Sequence, residues 1–292
     1  MSGIAVTGAG GMLGQAVVAA ARDAGHDVLV LTRAQVDLRD VGAVRRTVDQ
    51  AVADGFDRFV NCAAYTDVDG AESHEPEALA VNGTAAGHLA GATAHAGAHL
   101  VHVSTDYVFA GTQPTPYVES DPVDPQSAYG RTKLAGERAV AAASDGHAVV
   151  RTAWLFGAGG PNFVDTMLRL AADRDEISVV TDQVGCPTWT GHLAPVLVEI
   201  AARRQGGVQH AAGAGACSWN DLATATFAQA GVACRVLPTT TEHFPRPAPR
   251  PAFSVLGSER DDHLDLPPWT EGLHGHLLSA GRFIPSPMGD NA

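Results

Sequence analysis

The sequence lacks long apolar runs and paired cysteines, and these two absences exclude several classes of protein. No run approaches the 18 or so apolar residues that a membrane-spanning helix needs, and no charged-then-apolar leader opens the chain. We therefore expect a cytoplasmic protein with no membrane partner. The four cysteines form no Cys-x-x-Cys pair, which argues against a disulfide framework and a zinc site.

Positive charge is also scarce. Only 19 lysines and arginines stand against 32 aspartates and glutamates, so the formal net charge is −13. Nucleic acid is therefore a poor partner, and an anionic ligand must be held by a local cluster of donors. Hydrophobic residues make up 45% of the chain and charged residues 17%, which is typical of a globular protein with a substantial core.

Strand and helix patterns alternate through the first half of the sequence. Strands are predicted at 4–7, 28–31, 56–61, 99–104 and 149–152, and helices at 12–24, 41–53 and 76–96. The strands are apolar without alternation, and helices lie between them. This order predicts an α/β fold of the Rossmann type, with a doubly wound parallel sheet covered on both faces.

Beyond residue 153 the alternation is interrupted by prolines and by a glycine-rich stretch. We expect a larger domain formed by 1–153 and 186–211, and a smaller, mostly C-terminal lobe formed by 154–185 and 212–280. Residues 281–292 are expected to be a disordered tail.

A glycine-rich loop follows the first predicted strand and opens the first predicted helix. Gly8, Gly11 and Gly14 have the spacing that allows a tight turn, the approach of a pyrophosphate to the backbone, and close packing of helix on strand. Gly10, Met12 and Leu13 belong to the same loop. A purely structural turn is the alternative, but the position between strand and helix favours dinucleotide binding.

The end of the second predicted strand bears on the choice of dinucleotide. An NAD-selective site usually has a carboxylate there, whereas Thr32 and Arg33 offer a hydroxyl and a cation suited to a 2′-phosphate. We therefore predict NADPH, without excluding NADH; the alternative is that Arg33 is only solvated. Asp37 and Leu38 are expected to flank the adenine. The cofactor groove is expected to be lined by Cys62, Ala63, Ala64 and Tyr65.

Tyr129 and Lys133 are four residues apart and share one face of a predicted helix. A tyrosine can protonate a ketone oxygen as hydride arrives, and a neighbouring ammonium is expected to lower the pKa of the phenol. The lysine could also reach the cofactor ribose. Because the Tyr-x-x-x-Lys pattern is common, a second feature is needed. Thr105, at the end of the fourth predicted strand, supplies a hydroxyl that can polarise a carbonyl.

Over about residues 3–280 the chain resembles the dTDP-4-dehydrorhamnose reductase family of extended short-chain dehydrogenase/reductases. The matching motifs are STDYVF at 104–109, PYVE at 116–119, YGRTKLAGE at 129–137, RTAW at 151–154, NFVDTM at 162–167 and DQVGCPT at 182–188. The resemblance implies a catalytic triad of Thr105, Tyr129 and Lys133. It also implies that Trp154 forms a wall against the sugar ring and that the smaller lobe holds thymidine diphosphate.

The substrate implied is a dTDP-4-keto-6-deoxyhexose, reduced with NADPH. Its expected contacts are Thr105, Asp106, Tyr107, Trp154, Asn162, Phe163, Gln183, Arg250 and Ser254. Of these, Asn162 could instead cap a helix and Arg250 could be a solvated loop residue. The sequence leaves open whether the protein forms a homodimer.

Two positions depart from the family pattern. Phe253 stands where the family usually has asparagine. Gln15 and Ala16 offer no carboxylate where the family has been linked with magnesium, so no metal is predicted.

Three alternatives remain at this point. The substrate could be a related keto sugar on the way to a different or branched deoxysugar. The chain could be a non-catalytic, dinucleotide-binding regulatory subunit, although such a subunit would be expected to lose part of the triad. An epimerase or dehydratase is disfavoured because no acid ends the second predicted strand.

Overall fold

The computed structural model describes residues 2–283. Its strands are β1 (Gly3–Thr7), β2 (Asp27–Leu31), β3 (Arg58–Asn61), β4 (His99–Thr105), β5 (Ala148–Thr152), β6 (Leu155–Phe156), β7 (Glu176–Val180), β8 (Val184–Gly185), β9 (Thr188–Trp189), β10 (Gly207–His210), β11 (Cys217–Ser218) and β12 (Arg235–Thr239). Its α-helices are α1 (Met12–Asp23), α2 (Val41–Ala53), α3 (Gly70–Ser73), α4 (Glu75–Leu79), α5 (Ala86–His95), α6 (Ala128–Ala143), α7 (Phe163–Ala171), α8 (Thr190–Arg203), α9 (Trp219–Ala230) and α10 (Trp269–Ser279). None of the helices in this part of the chain is long and apolar enough to cross a bilayer.

Six parallel strands form the central sheet, in the order β10-β5-β4-β3-β1-β2. Helices α1 and α8 pack on one face, where Leu13 and Leu197 meet Ile4. Helices α2, α5 and α6 pack on the other face, where Val44 meets Phe59. Because both faces are covered, most strand residues are buried and the middles of the strands are largely apolar. The predicted fold class is confirmed.

The segment predicted to be helical across 76–96 is helical from Glu75 to His95, but it is not one regular α-helix. Between α4 and α5 lies a π-helical segment, Ala80–Ala85. Its Asn82 is buried, and the amide accepts a hydrogen bond from the Tyr65 N–H (2.8 Å) and donates to the Tyr65 carbonyl (3.1 Å) and the Thr132 hydroxyl (3.1 Å). Hydrophobic periodicity cannot reveal such a widened turn, because these tertiary hydrogen bonds lie outside the helix itself.

The smaller strands lie beyond the sheet. They pair as β6 with β9, β7 with β12 and β8 with β11, and α7, α9 and α10 pack near them. The segment predicted to be a disordered tail begins in a defined conformation, because Arg282 donates to the Asp165 carboxylate (2.6 Å). Residues 284–292 of that prediction lie outside the described residues.

Helix α6 is fixed to the sheet by a buried ion pair. Glu137 on α6 accepts three hydrogen bonds from Arg151 on β5, with a closest contact of 2.8 Å, and both side chains are only 5% exposed. Two glycines on α6 allow the helix to pack closely against the backbone at Tyr107 and Asn82. A Cβ at Gly130 would lie 2.2 Å from the Tyr107 carbonyl oxygen, and one at Gly136 would lie 2.1 Å from the Asn82 carbonyl oxygen.

Replacing one member of this pair should destabilise the protein strongly. We expect Glu137→Gln to lower the free energy of unfolding by about 3–5 kcal/mol, because it leaves the Arg151 charge buried without a counter-ion. The exposed pair Glu199–Arg203 on α8 provides a matched control. Glu199→Gln should cost no more than about 0.5 kcal/mol. Urea unfolding of both variants measures the difference, and equal losses would contradict the assignment.

Candidate active site

A cleft of about 840 Å³ opens at the carboxyl ends of the central strands. This edge of a parallel sheet is where open α/β folds bind ligands. The cleft walls include the glycine loop, the ends of β2, β3, β4 and β5, the start of α6, and the two tryptophans Trp154 and Trp219.

The predicted glycine loop forms one end of the cleft. Gly8, Gly11, Met12, Leu13 and Gly14 line it, whereas Gly10 lies exposed at its edge. Gly8 has φ 69° at the turn, and a Cβ at Gly14 would lie 2.2 Å from the Gly8 carbonyl oxygen. No side chain caps the first turn of α1, so its N–H groups are available to an anion in the cleft.

The end of β2 forms the adjoining wall, where Thr32, Arg33, Asp37 and Leu38 all line the cleft. Asp37 is held by Arg39, which donates two short hydrogen bonds to it (2.9 and 2.6 Å). These bonds lower the pKa of Asp37 well below its usual value. Arg33 makes no ion pair with any residue between 2 and 283, so its cation is available at this wall.

The floor of this part of the cleft contains the four predicted residues Cys62, Ala63, Ala64 and Tyr65. The Asn82 amide holds the Tyr65 backbone through hydrogen bonds to its N–H and its carbonyl. Burial raises the pKa of the Cys62 thiol to about 12, so this cysteine is unreactive at neutral pH.

Tyr129 and Lys133 lie on the cleft face of α6, as predicted from their spacing. From the sequence we expect the Lys133 ammonium to lower the pKa of the Tyr129 phenol. The structure differs, because Lys133 is directed at a backbone carbonyl and the pKa of Tyr129 is raised. The Lys133 ammonium donates to the Val103 carbonyl (2.6 Å), and burial lowers the pKa of Lys133 to about 8. Burial raises the pKa of Tyr129 above its usual value, as does the charge of Asp106, while the Thr105 hydroxyl lowers it. The phenol is therefore protonated at neutral pH, as a proton donor must be.

Thr105 and Asp106 continue β4 into the cleft. The Thr105 hydroxyl donates to the Asp106 carboxylate (2.9 Å) and accepts from the Tyr107 N–H (3.2 Å). Burial raises the pKa of Asp106 to about 6. Within residues 2–283, Asp106 Oδ2, Ser104 Oγ and Thr152 Oγ1 are buried without a hydrogen-bond partner. Such groups in a cleft are suited to a polar ligand.

The residues predicted to contact substrate divide into two sets. Thr105, Asp106, Tyr107 and Trp154 line the cleft. Arg250 lies outside it, on a neighbouring cavity of about 270 Å³ that also includes Tyr107. Its guanidinium donates to Asp69 (2.8 Å) and to the Ala248 carbonyl (2.8 Å), so it is not a solvated loop residue.

Four other residues predicted to contact substrate do not line the cleft. Asn162 caps α7, where its amide accepts from the Asp165 N–H (2.9 Å), and Ser254 is buried beside Asp106. Phe163 and Gln183 contact Trp219 instead of the cleft.

Trp219 and Phe253 could not be interpreted from the sequence alone. Trp219 lines the cleft, although nothing in its surroundings in the sequence marks it. Phe253 replaces the asparagine usual in the family, but it packs against buried apolar residues such as Val108 and Leu134. It therefore takes no hydrogen-bonding position on the cleft wall.

The family model described as the RmlD substrate binding domain matches residues 1–280. The chain belongs to this family. It is 48% identical to the dTDP-4-dehydrorhamnose reductase of Mycolicibacterium smegmatis, over 92% of this chain and 83% of that protein. It is 42% identical to the dTDP-4-keto-6-deoxy-D-glucose reductase of Streptomyces niveus, over 92% of this chain and 94% of that protein.

A solved structure gives the same result for the fold. The dTDP-4-dehydrorhamnose reductase of Bacillus anthracis in complex with NADP has a TM-score of 0.90 to this RmlD-family chain at 34% identity. The match covers 96% of this chain and 99% of the solved chain.

The glycine loop provides a direct test of its packing. Gly14→Ala should lower the free energy of unfolding by about 1–3 kcal/mol, because the added methyl group would overlap the Gly8 carbonyl. Gly10→Ala is the matched control, since the nearest atom to its Cβ would be 3.9 Å away. We expect that control to stay within about 0.5 kcal/mol of the parent protein. Thermal unfolding of both variants measures the difference. A Gly14→Ala protein as stable as the parent would contradict the close packing of Gly14 on Gly8.

Proposed function

We propose that this protein is an NADPH-dependent reductase of the 4-keto group of a dTDP-4-keto-6-deoxyhexose, acting in deoxysugar biosynthesis. The observation that carries the proposal is the common cleft of the glycine loop and the Thr105–Tyr129 pair. Names of the relatives support the same reaction class and the same type of substrate.

The cleft contains the groups that NADPH requires. The uncapped start of α1 suits its pyrophosphate, and Thr32 with Arg33 suits its 2′-phosphate. Asp37 and Leu38 are assigned to the adenine end. The unpartnered hydroxyls of Ser104 and Thr152 suit polar groups farther along the cleft. When bound, NADPH supplies a hydride to the carbonyl carbon and becomes NADP⁺.

The chain supplies the proton. Tyr129 is protonated at neutral pH and transfers its phenolic proton to the carbonyl oxygen, so the ketone becomes an alcohol. Thr105 lies beside the phenol and lowers its pKa, which stabilises the phenolate that remains. Lys133 has a pKa of about 8, so its ammonium is present at neutral pH to hold ribose hydroxyls.

A related substrate is the second candidate. The Streptomyces niveus relative is named for a different 4-keto sugar from the one in the name of the Mycolicibacterium smegmatis relative. The same Tyr129 and Thr105 chemistry would serve either sugar, because only the ketone reacts. A homodimer and a cytoplasmic location remain predictions.

The proton donor can be tested by Tyr129→Phe. Parent and variant are mixed with NADPH and each of several dTDP-4-keto-6-deoxyhexoses, and the loss of absorbance of the reduced nicotinamide is followed. We expect turnover to fall at least ~10²-fold, because the phenol is the proton donor. Affinity for NADPH should change little in this variant, whereas Lys133→Ala should weaken both turnover and NADPH binding.

The outcomes separate the parts of the proposal. Near-normal turnover by Tyr129→Phe would require another proton donor. A parent protein that binds NADPH but reduces none of these sugar nucleotides would refute the assigned substrate.

The choice of cofactor depends on Arg33. We expect Arg33→Ala to weaken NADPH binding by about 1.5–3 kcal/mol, the range for hydrogen bonds to a charged group, and to leave NADH binding nearly unchanged. Arg39→Ala is the control on the same wall, because Asp37 already holds that guanidinium. Calorimetric titration of both cofactors measures the effect. Equal losses for NADPH and NADH would show that Arg33 does not contact the 2′-phosphate.

A further inference from the structure

Trp154 has an unusual backbone conformation at the edge of the cleft. Its φ is 48°, in the left-handed region that is unfavourable for a bulky residue. It lies two residues after the end of β5, and Thr152 at the end of that strand is the register partner of Thr105 on β4. Trp154 therefore adopts this conformation within the cleft that also contains Thr105 and Tyr129. Residues with strained backbones often have a role at functional sites.

The indole of Trp154 contacts two neighbours. It stacks on Trp219 with ring centroids 3.5 Å apart and planes 3° from parallel. It also lies against Gly185, where a Cβ would come within 2.5 Å of the Trp154 ring atom Cε2. A side chain at residue 185 would therefore displace the indole.

Trp219 is itself fixed independently of Trp154. Its indole N–H donates to the Gln183 amide oxygen (3.1 Å), and the Gln183 amide donates to the Thr241 hydroxyl (2.9 Å). Phe163 packs against it with centroids 4.5 Å apart. Trp219 is also the first residue of α9, whose start is held by a capping box between Ser218 and Asp221.

We propose that Trp219 is a positioning residue that holds Trp154 as a rigid wall and thereby fixes which face of the keto sugar receives the hydride. This inference rests on the proposed function. Trp154, Thr105 and Tyr129 line the same cleft, and Trp154 follows the strand next to the one that ends at Thr105. In this proposal the wall limits a hexose in the cleft to one orientation of its ketone. If the wall moved, the sugar could turn over, and the same hydride and proton would give the alcohol of opposite configuration at C4.

The test compares Trp219→Leu with Trp219→Phe. Both variants keep the same three tryptophans, but only phenylalanine keeps an aromatic ring to stack on Trp154. Trp269→Leu is the matched control, because Trp269 is also half-buried at the start of a helix in the smaller lobe and does not line the cleft.

Each protein is assayed with NADPH and the keto-sugar nucleotide, and the C4 configuration of the product is read by NMR. For Trp219→Leu we expect KM for the sugar nucleotide to rise about 3- to 10-fold, the size of an aromatic pair interaction, and the C4 epimer to become detectable. Trp219→Phe and Trp269→Leu should give a single product. The affinity for NADPH should be unchanged in all three.

A second measurement needs no substrate. Acrylamide should quench tryptophan emission more strongly in Trp219→Leu than in Trp219→Phe, because Trp154 loses its cover. A single C4 product with unchanged KM in Trp219→Leu would overturn the inference, and so would equal quenching in the two variants. If the parent protein reduced no keto sugar but the quenching difference appeared, the proposed function would fail while the positioning of Trp154 by Trp219 would stand.

Discussion

The position of α6 against the sheet is the constraint on which the active site depends. Tyr129, Lys133 and Glu137 follow one another at intervals of four residues on one face of this helix. Glu137 is bound to Arg151 on β5, and Lys133 is bound to the Val103 carbonyl on β4. The third member, Tyr129, is thereby held beside Thr105. A shift of the helix along its axis that moved the phenol would therefore also break the buried ion pair.

Hydrogen bonds extend this constraint to the cofactor side of the cleft. Asn82 joins the Tyr65 backbone to the Thr132 hydroxyl, and Thr132 lies between Tyr129 and Lys133 on α6. The buried Asn82 amide therefore links the floor of the groove to the proposed catalytic helix. Buried amides with all their hydrogen bonds satisfied give rigid geometry, which a hydride transfer requires.

Charge has an equally local organisation. The chain is acidic overall, yet the carboxylates near the cleft either pair with arginines, as Asp37 and Asp69 do, or are buried, as Asp106 is. Asp69 accepts hydrogen bonds from Arg246 and Arg250, and this joins the loop after β3 to the loop that precedes Pro251. Burial raises the pKa of Asp69, but the hydrogen bonds from these arginines lower it by more than burial raises it. The pKa of Asp69 is therefore lowered to about 2. The clamp therefore persists at any pH at which the protein would be assayed.

The sequence by itself determined five of the six strands of the sheet, the glycine loop and the placing of Tyr129 and Lys133 on one helix face, because each depends on residues close together in the chain. Strand and helix periods, turn-forming glycines and a four-residue spacing are local properties, and so could be predicted. The tertiary structure decided what depends on distant contacts. The π-helical segment exists because Asn82 meets Tyr65, and Lys133 is directed at Val103 because β4 lies beneath α6. In the same way, Phe163 and Gln183 hold a tryptophan that lies 56 and 36 residues farther along the chain, so no motif around them could indicate their contacts.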